Sequence, residues 1–352
     1  FAGGLSLASG GGIGASAVVP EIDKSVIAAV GNYADVTARG QGAGASIRNG
    51  AFVEEFLDGP GAPDDVRADG VGAGGLGLEN VEWSGGESVD QSYEGDSGAS
   101  RTRRLTPASE ALRGVSVSAV NSDDLGLVAI NGAAGGAFVA SLSGAVGYVS
   151  AYAMATIANG ARINMAEGAA GANQDVHVLA GNDVRGLSIA GAVGGSGASA
   201  LAPSATFGLV TTGTAAQIFA DEVRARDDVI VRAASDQSFT FVAAGLGLAG
   251  ATGAGLSGNV LDLTSWTNAT IGGDLEFGGP SHVAAGGDVA LSARDDTNAV
   301  LFSGALGIGG ANAVAAGANI ASITKDTTAA IFNASSVEAA GGGVADRAGA
   351  PT

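Results

Sequence analysis

Histidines, paired aspartates and a glycine run are the residues of this sequence whose types could do chemistry. The two histidines, His177 and His282, have no partners at the spacing of a metal-binding or triad motif, so we interpret both as surface residues. Asp227-Asp228 and Asp295-Asp296 could supply the carboxylate pair of a glycosidase. Because adjacent residues of a strand point to opposite faces, neither pair is expected to converge.

The glycine run Gly10-Gly11-Gly12-Ile13-Gly14 resembles a phosphate-binding loop only superficially. It lacks the Gly-Lys-Ser/Thr ending and the strand–helix context of such loops. Cysteine is absent, which excludes disulfides, thiolate metal sites and cysteine nucleophiles. The sequence therefore predicts no catalytic residue, no metal site and no cofactor.

Composition and charge argue against two further classes of protein. The chain has 61 glycines in 352 residues and a net charge of −19, from 35 acidic and 16 basic residues. Nucleic-acid binding relies on Lys and Arg at phosphates, so this balance disfavours it. Charge-free stretches such as 125–161 are as long as a membrane span, but their glycine runs disfavour a helix. We expect neither a nucleic-acid partner nor a membrane-spanning segment.

The elements that position these residues are predicted from an internal repeat. Four segments share an apolar-x-apolar-x-Ala pattern, typical of strands: Val115–Ala119, Val176–Ala180, Val229–Ala233 and Val289–Ala293. An isoleucine follows each first valine by 42 residues: Ile157, Ile218, Ile271 and Ile331. Val193, Leu246 and Leu306 lie 17 residues after the first valine of their units. Constant offsets inside units of 53 to 61 residues predict stacked strands in register.

We predict an all-β fold, a parallel β-helix or β-solenoid. A unit is expected to form about three coils and to advance roughly 14 Å at the usual strand spacing. One aspartate follows each repeated strand: Asp123, Asp183, Asp236 and Asp296. At that spacing they could not share a calcium ion, so we interpret them as turn residues.

The repeat also predicts the organisation of the chain. A partial solenoid unit (1–38) precedes an insertion (39–113), and four units follow (114–174, 175–227, 228–287 and 288–352). Insertions in solenoids often form the binding face. The candidate ligand-contact residues are therefore Trp83, Tyr93, Arg101, Arg103 and Arg104. A packing loop that shields one flank is the alternative interpretation, and a protease-sensitive site at 101–104 is a third.

One repeat carries a resemblance to a known family. Gly286-Gly287-Asp288-Val289-Ala290-Leu291-Ser292-Ala293 resembles the GGD-apolar-x-apolar-x-Ala phrase of filamentous-haemagglutinin-like proteins. Residues 1–38 and 114–343 are similar, unit by unit, to the repeats of large leukotoxin-type filamentous adhesins of Gram-negative bacteria. The resemblance implies a right-handed β-helix and export by a two-partner or autotransporter route. It also implies an extracellular, cell-surface role in adhesion or scaffolding, without shared catalytic residues.

We therefore expect a non-catalytic structural segment of an exported bacterial adhesin or cell-surface fibre that mediates attachment or scaffolding. The alternatives are a self-assembling extracellular filament subunit and a β-helix polysaccharide lyase or glycosidase.

The two ends of the repeat array and the insertion predict the partners of the chain. Phe1 begins inside a unit, and the chain stops after Gly341-Gly342-Gly343, where a further strand is expected. We expect both ends to stack on neighbouring repeats of a longer chain or on copies of itself. A host-surface, cell-surface or polysaccharide ligand is the other expected partner.

Overall fold

The computed structural model describes residues 1–57, 102–165, 170–273, 279–332, 335–341 and 344–349, with the backbone alone at 50–57, 102–107 and 344–349. These residues form strands and no helix. None of them therefore belongs to a helix that could cross a membrane. By internal contacts the chain divides into a larger unit, Phe1–Ala51 with Ser109–Thr352, and a smaller one, Phe52–Ala108. The repeats all belong to the larger unit.

The strands follow one another as successive coils. The first coil contains β1 (Ala2–Ala8), β2 (Gly12–Val18), β3 (Glu21–Val30) and β4 (Asp35–Val36), and two strands, β5 (Ala45–Leu57) and β6 (Thr102–Leu112), flank residues 58–101. The second coil contains β7 (Gly114–Gly135), β8 (Phe138–Ile157) and β9 (Arg162–Ile163), and the third contains β10 (Asp175–Ser196), β11 (Ser199–Ile218) and β12 (Glu222–Ala225). The fourth contains β13 (Val229–Ala249), β14 (Thr252–Ile271) and β15 (His282–Ala285). The fifth contains β16 (Val289–Gly309), β17 (Asn312–Ile331) and β18 (Ser336–Ala339), and β19 (Val344–Gly349) follows it.

The coils contribute equivalent strands to three parallel sheets. Sheet A has the order β1-β7-β10-β13-β16-β19, and sheet C has the order β18-β15-β12-β9-β4. Sheet B has the order β17-β14-β11-β8, and both β2 and β3 pair with β8. β5 and β6 form a separate two-stranded sheet. Because equivalent strands of adjacent coils pair in parallel, the larger unit is a parallel β-helix, as predicted.

The predicted register is confirmed. The four valines that open the repeats pair with one another in sheet A, and the four repeated isoleucines pair in sheet B. Val193, Leu246 and Leu306 also pair in register. The 42-residue offset is constant because the two long strands and the turn between them keep their combined length in every unit. Length varies in the segment between each repeated isoleucine and the next repeated valine, which contains a short strand of sheet C.

The predicted number of coils per unit is wrong. Val176 pairs with Val115 in one direction and with Val229 in the other, so each unit makes one coil rather than three. The short apolar segments do not end where their pattern ends, and β10 runs from Asp175 to Ser196. It continues because the Gly/Ala-rich middle of each unit also alternates with the two-residue period of a strand. A unit therefore advances by one strand spacing, about 4.8 Å.

The interpretation of the repeated aspartates as turn residues is also wrong. Asp183, Asp236 and Asp296 lie within β10, β13 and β16 and pair in register. They are consequently about 4.8 Å apart and not roughly 14 Å, since that figure assumed three coils per unit. Asp123 lies in a different column, opposite Val184. Among the described residues, no group of three or more His, Cys, Asp or Glu side chains is arranged to hold a metal ion.

The apolar core lies where the three sheets meet. Val176 of sheet A, Ile218 of sheet B and Val223 of sheet C are fully buried there, and equivalent Val, Ile and Ala residues repeat through the coils. Burying one Val or Ile side chain contributes about 1.5–3 kcal/mol. Each coil thus adds a similar apolar layer, which specifies the register of its neighbours.

At the far end of each coil, sheets A and B pack directly on each other in a thin region that we call the blade. The blade comprises residues 2–18, 129–145, 190–206, 243–259 and 303–319. Its inward positions are chiefly Gly, Ala, Ser and Asn. A Cβ at Gly245 would collide with the carbonyl oxygens of Leu256 and Ala202. The two sheets approach this closely because glycine has no side chain.

Candidate ligand-binding surface and buried polar groups

The structure describes no side chain of the five ligand-contact residues predicted in the insertion. Trp83, Tyr93 and Arg101 lie outside the described residues. Arg103 and Arg104 belong to β6, where only the backbone is described. Ligand binding by these five residues stays a prediction.

His177 faces outward from sheet A but is buried, so the interpretation of it as a surface residue is wrong. Its Nδ1 lies 2.9 Å from Glu110 Oε1, and the Ser118 hydroxyl beside it donates to the carbonyl oxygen of Arg48 (2.7 Å). The chain around Arg48 and Glu110 therefore covers this part of sheet A. The sequence could not reveal this cover, because β5 and β6 follow no repeat. His282 is half-buried at the start of β15.

The aspartate that precedes a repeated valine joins successive coils. The Asp288 N–H donates to Asp228 Oδ1 (2.8 Å), and the Asp228 N–H donates to Asp175 Oδ1 (3.2 Å). Each acceptor carboxylate thus binds the main chain of the next coil, at the position of the GGD phrase. Burial raises the pKa of Asp175 and outweighs the hydrogen bond from Asp228, which lowers it.

Asp295 is the centre of a polar network inside the helix. Its side chain is fully buried, and Lys325 Nζ lies 2.8 Å from its Oδ1. The Ser265 hydroxyl donates to Oδ2 (2.6 Å). The Gln237 amide can donate to Oδ1 (3.0 Å). Asp295 points inward and its neighbour Asp296 outward, as expected for adjacent strand residues, so this pair does not converge.

The two lysines of the chain occupy equivalent positions of sheet B. Lys24 on β3 pairs with Ala151, and Lys325 on β17 pairs with Ser265. Ala151, Thr212 and Ser265 stack in register between them. Lys24 Nζ contacts Asp123 Oδ1 (2.8 Å), as Lys325 contacts Asp295. The column is therefore charged at its two ends, and each lysine there is paired with a carboxylate. Of these groups only Asp295 is fully buried, and such a charge needs a partner.

Two aromatic rings lie side by side on the outer face of sheet B. Tyr152 of the second coil and Trp266 of the fourth flank Gly213 of the third, and all three are in register. The ring centroids are 6.2 Å apart and the planes are inclined by 35°. A Cβ at Gly213 would lie only 2.6 Å from Tyr152 Cδ1, so both rings lean over this glycine. The half-buried rings form a shallow aromatic floor on a rigid sheet.

Hydroxyl groups border the aromatic floor. Ser150, Thr211 and Thr264 stack in register on the neighbouring row of outward positions, about 6.6 Å along the strands. Asp262 lies one row further, exposed, and Asn268 lies on the opposite side of the floor. An apolar floor with a few polar groups at its edge is the usual composition of a small-molecule site.

The outer face of sheet B is acidic. Its outward positions carry Glu21, Asp23, Asp262 and Asp326, and no Lys or Arg occupies an outward position of the described sheet B strands. Such a face repels anions, attracts cations and leaves neutral ligands unopposed. It disfavours uronate-containing polysaccharides and nucleic acids.

Sequence reasoning missed Tyr152, Gly213 and Trp266, which lie in three different units and are unremarkable within each. A signal exists, since each lies 37 residues after the first valine of its unit. When the units are aligned on their first valines, the three residues fall at the same position of the repeat. Comparison of the chain with protein-family models, with curated proteins and with solved structures finds no match. The surface is therefore interpreted from its own geometry.

Proposed function

We propose that this chain is a non-catalytic structural segment of an exported bacterial adhesin or cell-surface fibre, and that it attaches to its target through the aromatic floor. The observation that supports attachment is the pairing of Tyr152 with Trp266 over Gly213. Three coils in fixed register hold the rings, so little ordering entropy is lost when a ligand binds. Export and the cell-surface location rest on the resemblance of the repeats.

The chemistry of the floor favours a neutral sugar as the ligand. The apolar C–H face of a pyranose ring stacks on an aromatic ring, while its hydroxyls bind Thr, Asn and Asp side chains. The carboxylates of the sheet B face oppose an anionic glycan. A quaternary ammonium group fits less well, because it prefers rings that surround it, and these two rings lie side by side.

Equilibrium binding to a panel of neutral and uronate-containing oligosaccharides tests the proposal. Trp266→Ala should weaken binding of the neutral ligand at least tenfold, as expected when a central aromatic contact is removed. Val260→Ala, on the same strand and face, is the matched control and should bind like the unmodified chain. Equal binding by Trp266→Ala would show that the floor is not the attachment site. Release of unsaturated products from the uronate glycans would instead indicate a lyase.

A filament subunit is the second candidate, favoured by the edge of the fifth coil. Ile323 and Ile331 point inward from β17 but are 44% and 36% exposed, whereas Leu263 and Ile271, with which they pair, are fully buried. An exposed strand edge with apolar inward side chains is a template for another strand. We propose that a further repeat or a second copy stacks on this edge. Growth of the sedimentation coefficient with concentration, reduced by Ile323→Lys, would support stacking, and an Ile323→Lys variant that associates like the unmodified chain would contradict it.

A further inference from the structure

The blade reverses the usual placement of large and small side chains. Its five seventeen-residue segments contain no charged residue. Glycine and alanine dominate inside, and most of the large aliphatic side chains point outward, although Val139 is buried inside. On the outer face of sheet A six of them are 37% to 74% exposed: Leu5, Leu7, Val193, Leu248, Leu306 and Ile308. Contiguous exposed apolar surface of this kind marks an interaction site.

These side chains form two adjacent rows that follow the stacking direction. One row contains Leu5, Gly132, Val193, Leu246 and Leu306, and the other contains Leu7, Ala134, Gly195, Leu248 and Ile308. Small residues interrupt both rows in the second coil, and Gly195 interrupts the second row again in the third. The face therefore presents alkyl ridges beside shallow gaps, a relief that can interdigitate with its own copy.

We propose that two copies of this chain associate side by side through the outer face of sheet A in the blade. Seven residues of strand across five coils give a face of roughly 23 × 24 Å, or about 550 Å² in projection. A stable interface buries about 800 Å² of corrugated accessible surface per partner. The blade face approaches that size. In such a contact the sheet A faces of the two copies would lie about 10 Å apart, as packed sheets do.

Charge also favours a second copy over a lipid surface. The net charge of −19 would repel two copies at most orientations. The blade is the region where neither copy carries a charge, so contact there has the least repulsion. Binding to anionic lipid relies on basic residues at the interface, and the blade has none. This lateral contact is distinct from the end-to-end stacking proposed for the fifth coil.

Analytical ultracentrifugation of the full chain tests the lateral contact. The unmodified chain should show a monomer–dimer equilibrium, and Leu246→Glu with Leu306→Glu should weaken the dimer at least a hundredfold by placing carboxylates inside it. Ser238→Glu with Asn298→Glu is the matched control, because it adds equal charge to outward positions of the same strands outside the blade. The control should dimerise like the unmodified chain. Unchanged circular dichroism and melting temperature must accompany both variants.

Three results would overturn the proposal. A chain that stays monomeric at the highest attainable concentration has no lateral contact. Association that survives Leu246→Glu with Leu306→Glu, when Ile323→Lys also blocks the open edge of the fifth coil, does not use the blade face. Flotation of a monomeric chain with phosphatidylcholine vesicles, lost in the same double variant, would assign the face to lipid.

Discussion

The apolar core and the blade are built from the same strands by opposite rules. In the core, Val176 and Ile218 point inward and are fully buried. In the blade, Gly245 and Gly247 point inward, while Leu246 and Leu248 point outward. Sheets separated by large side chains gain stability from buried alkyl groups. Sheets that touch through glycine depend on close backbone approach.

Hydrogen bonds across the blade interior complete this contrast. The Ser143 hydroxyl donates to the carbonyl oxygen of Ala129 (2.6 Å), and the Asn131 amide donates to Ser141 Oγ (2.9 Å). Both bonds link sheet A to sheet B within the second coil. The comparison teaches that one continuous strand can bury large apolar side chains in one half and glycines in the other. The polar network around Asp295 and a second apolar cluster that contains Phe239 and Leu263 lie between the two regions.

Gly245→Val should have the largest effect on stability, because the added side chain has no space between the two sheets of the blade. It would collide with the backbone of Leu256 and Ala202, which cannot move aside as a side chain can. We expect a loss of about 4 kcal/mol or failure to fold, above the usual overpacking cost of 1–3 kcal/mol. Urea denaturation measures it. Gly195→Val is the control, since a Cβ there meets no atom within 4 Å. A tolerated Gly245→Val would mean that the blade is not close-packed.

Ile218→Ala tests the core by removing side-chain atoms, whereas Gly245→Val adds them to the blade. Ile218 is fully buried and stacks between Ile157 and Ile271, so the cavity cannot collapse easily. The expected loss is about 3 kcal/mol in the free energy of unfolding. The exposed Ile320 provides a comparison, because Ile320→Ala should change stability by less than about 0.5 kcal/mol. Equal effects at both positions would contradict the assigned core.

Lys325→Met sharpens the comparison at the boundary between the two regions. It leaves the buried Asp295 carboxylate without its cation, although the hydrogen bond from Ser265 remains. We expect a loss of about 2 kcal/mol, below the usual cost of breaking a fully buried pair because the Lys325 side chain is 25% exposed. Lys24→Met should cost less, because Lys24 is 42% exposed and its partner Asp123 is partly solvated. The reverse order, measured by thermal unfolding, would contradict this account.

Asp175→Asn should have the smallest effect, and its sign depends on pH. Burial raises the pKa of Asp175, so the folded state disfavours the charged form of this carboxyl. The stability from this group is present at low pH and is lost as pH rises through the folded pKa. Asparagine removes the charge and keeps an oxygen for the Asp228 N–H. The variant should therefore melt slightly higher at pH 7, and the gain should shrink on acidification. A lower melting temperature at pH 7 would indicate that the ionised carboxylate is required.

The sequence predicts the register well because register is a matter of spacing alone. Equal offsets from Val115, Val176 and Val229 place equivalent residues opposite one another whatever the coil contains. The number of coils per unit could not be read in the same way, since an alternating Gly/Ala stretch is compatible with several short strands or one long strand. The sequence also could not show which side chains of the blade are buried. Alternation of Leu246 with Gly245 shows that the two face opposite ways, but the usual rule would place leucine inside.

The rise of one strand spacing per unit limits how far such a protein can reach. A coil of 53 to 61 residues adds about 4.8 Å along the stack, whereas 53 residues of extended chain would span roughly 175 Å. Most residues of a unit therefore extend the sheets sideways, and each added unit widens each sheet by only one row. Duplicating a unit would add a row to the blade and to the aromatic side of sheet B together. Growth by duplication therefore repeats both surfaces in constant proportion.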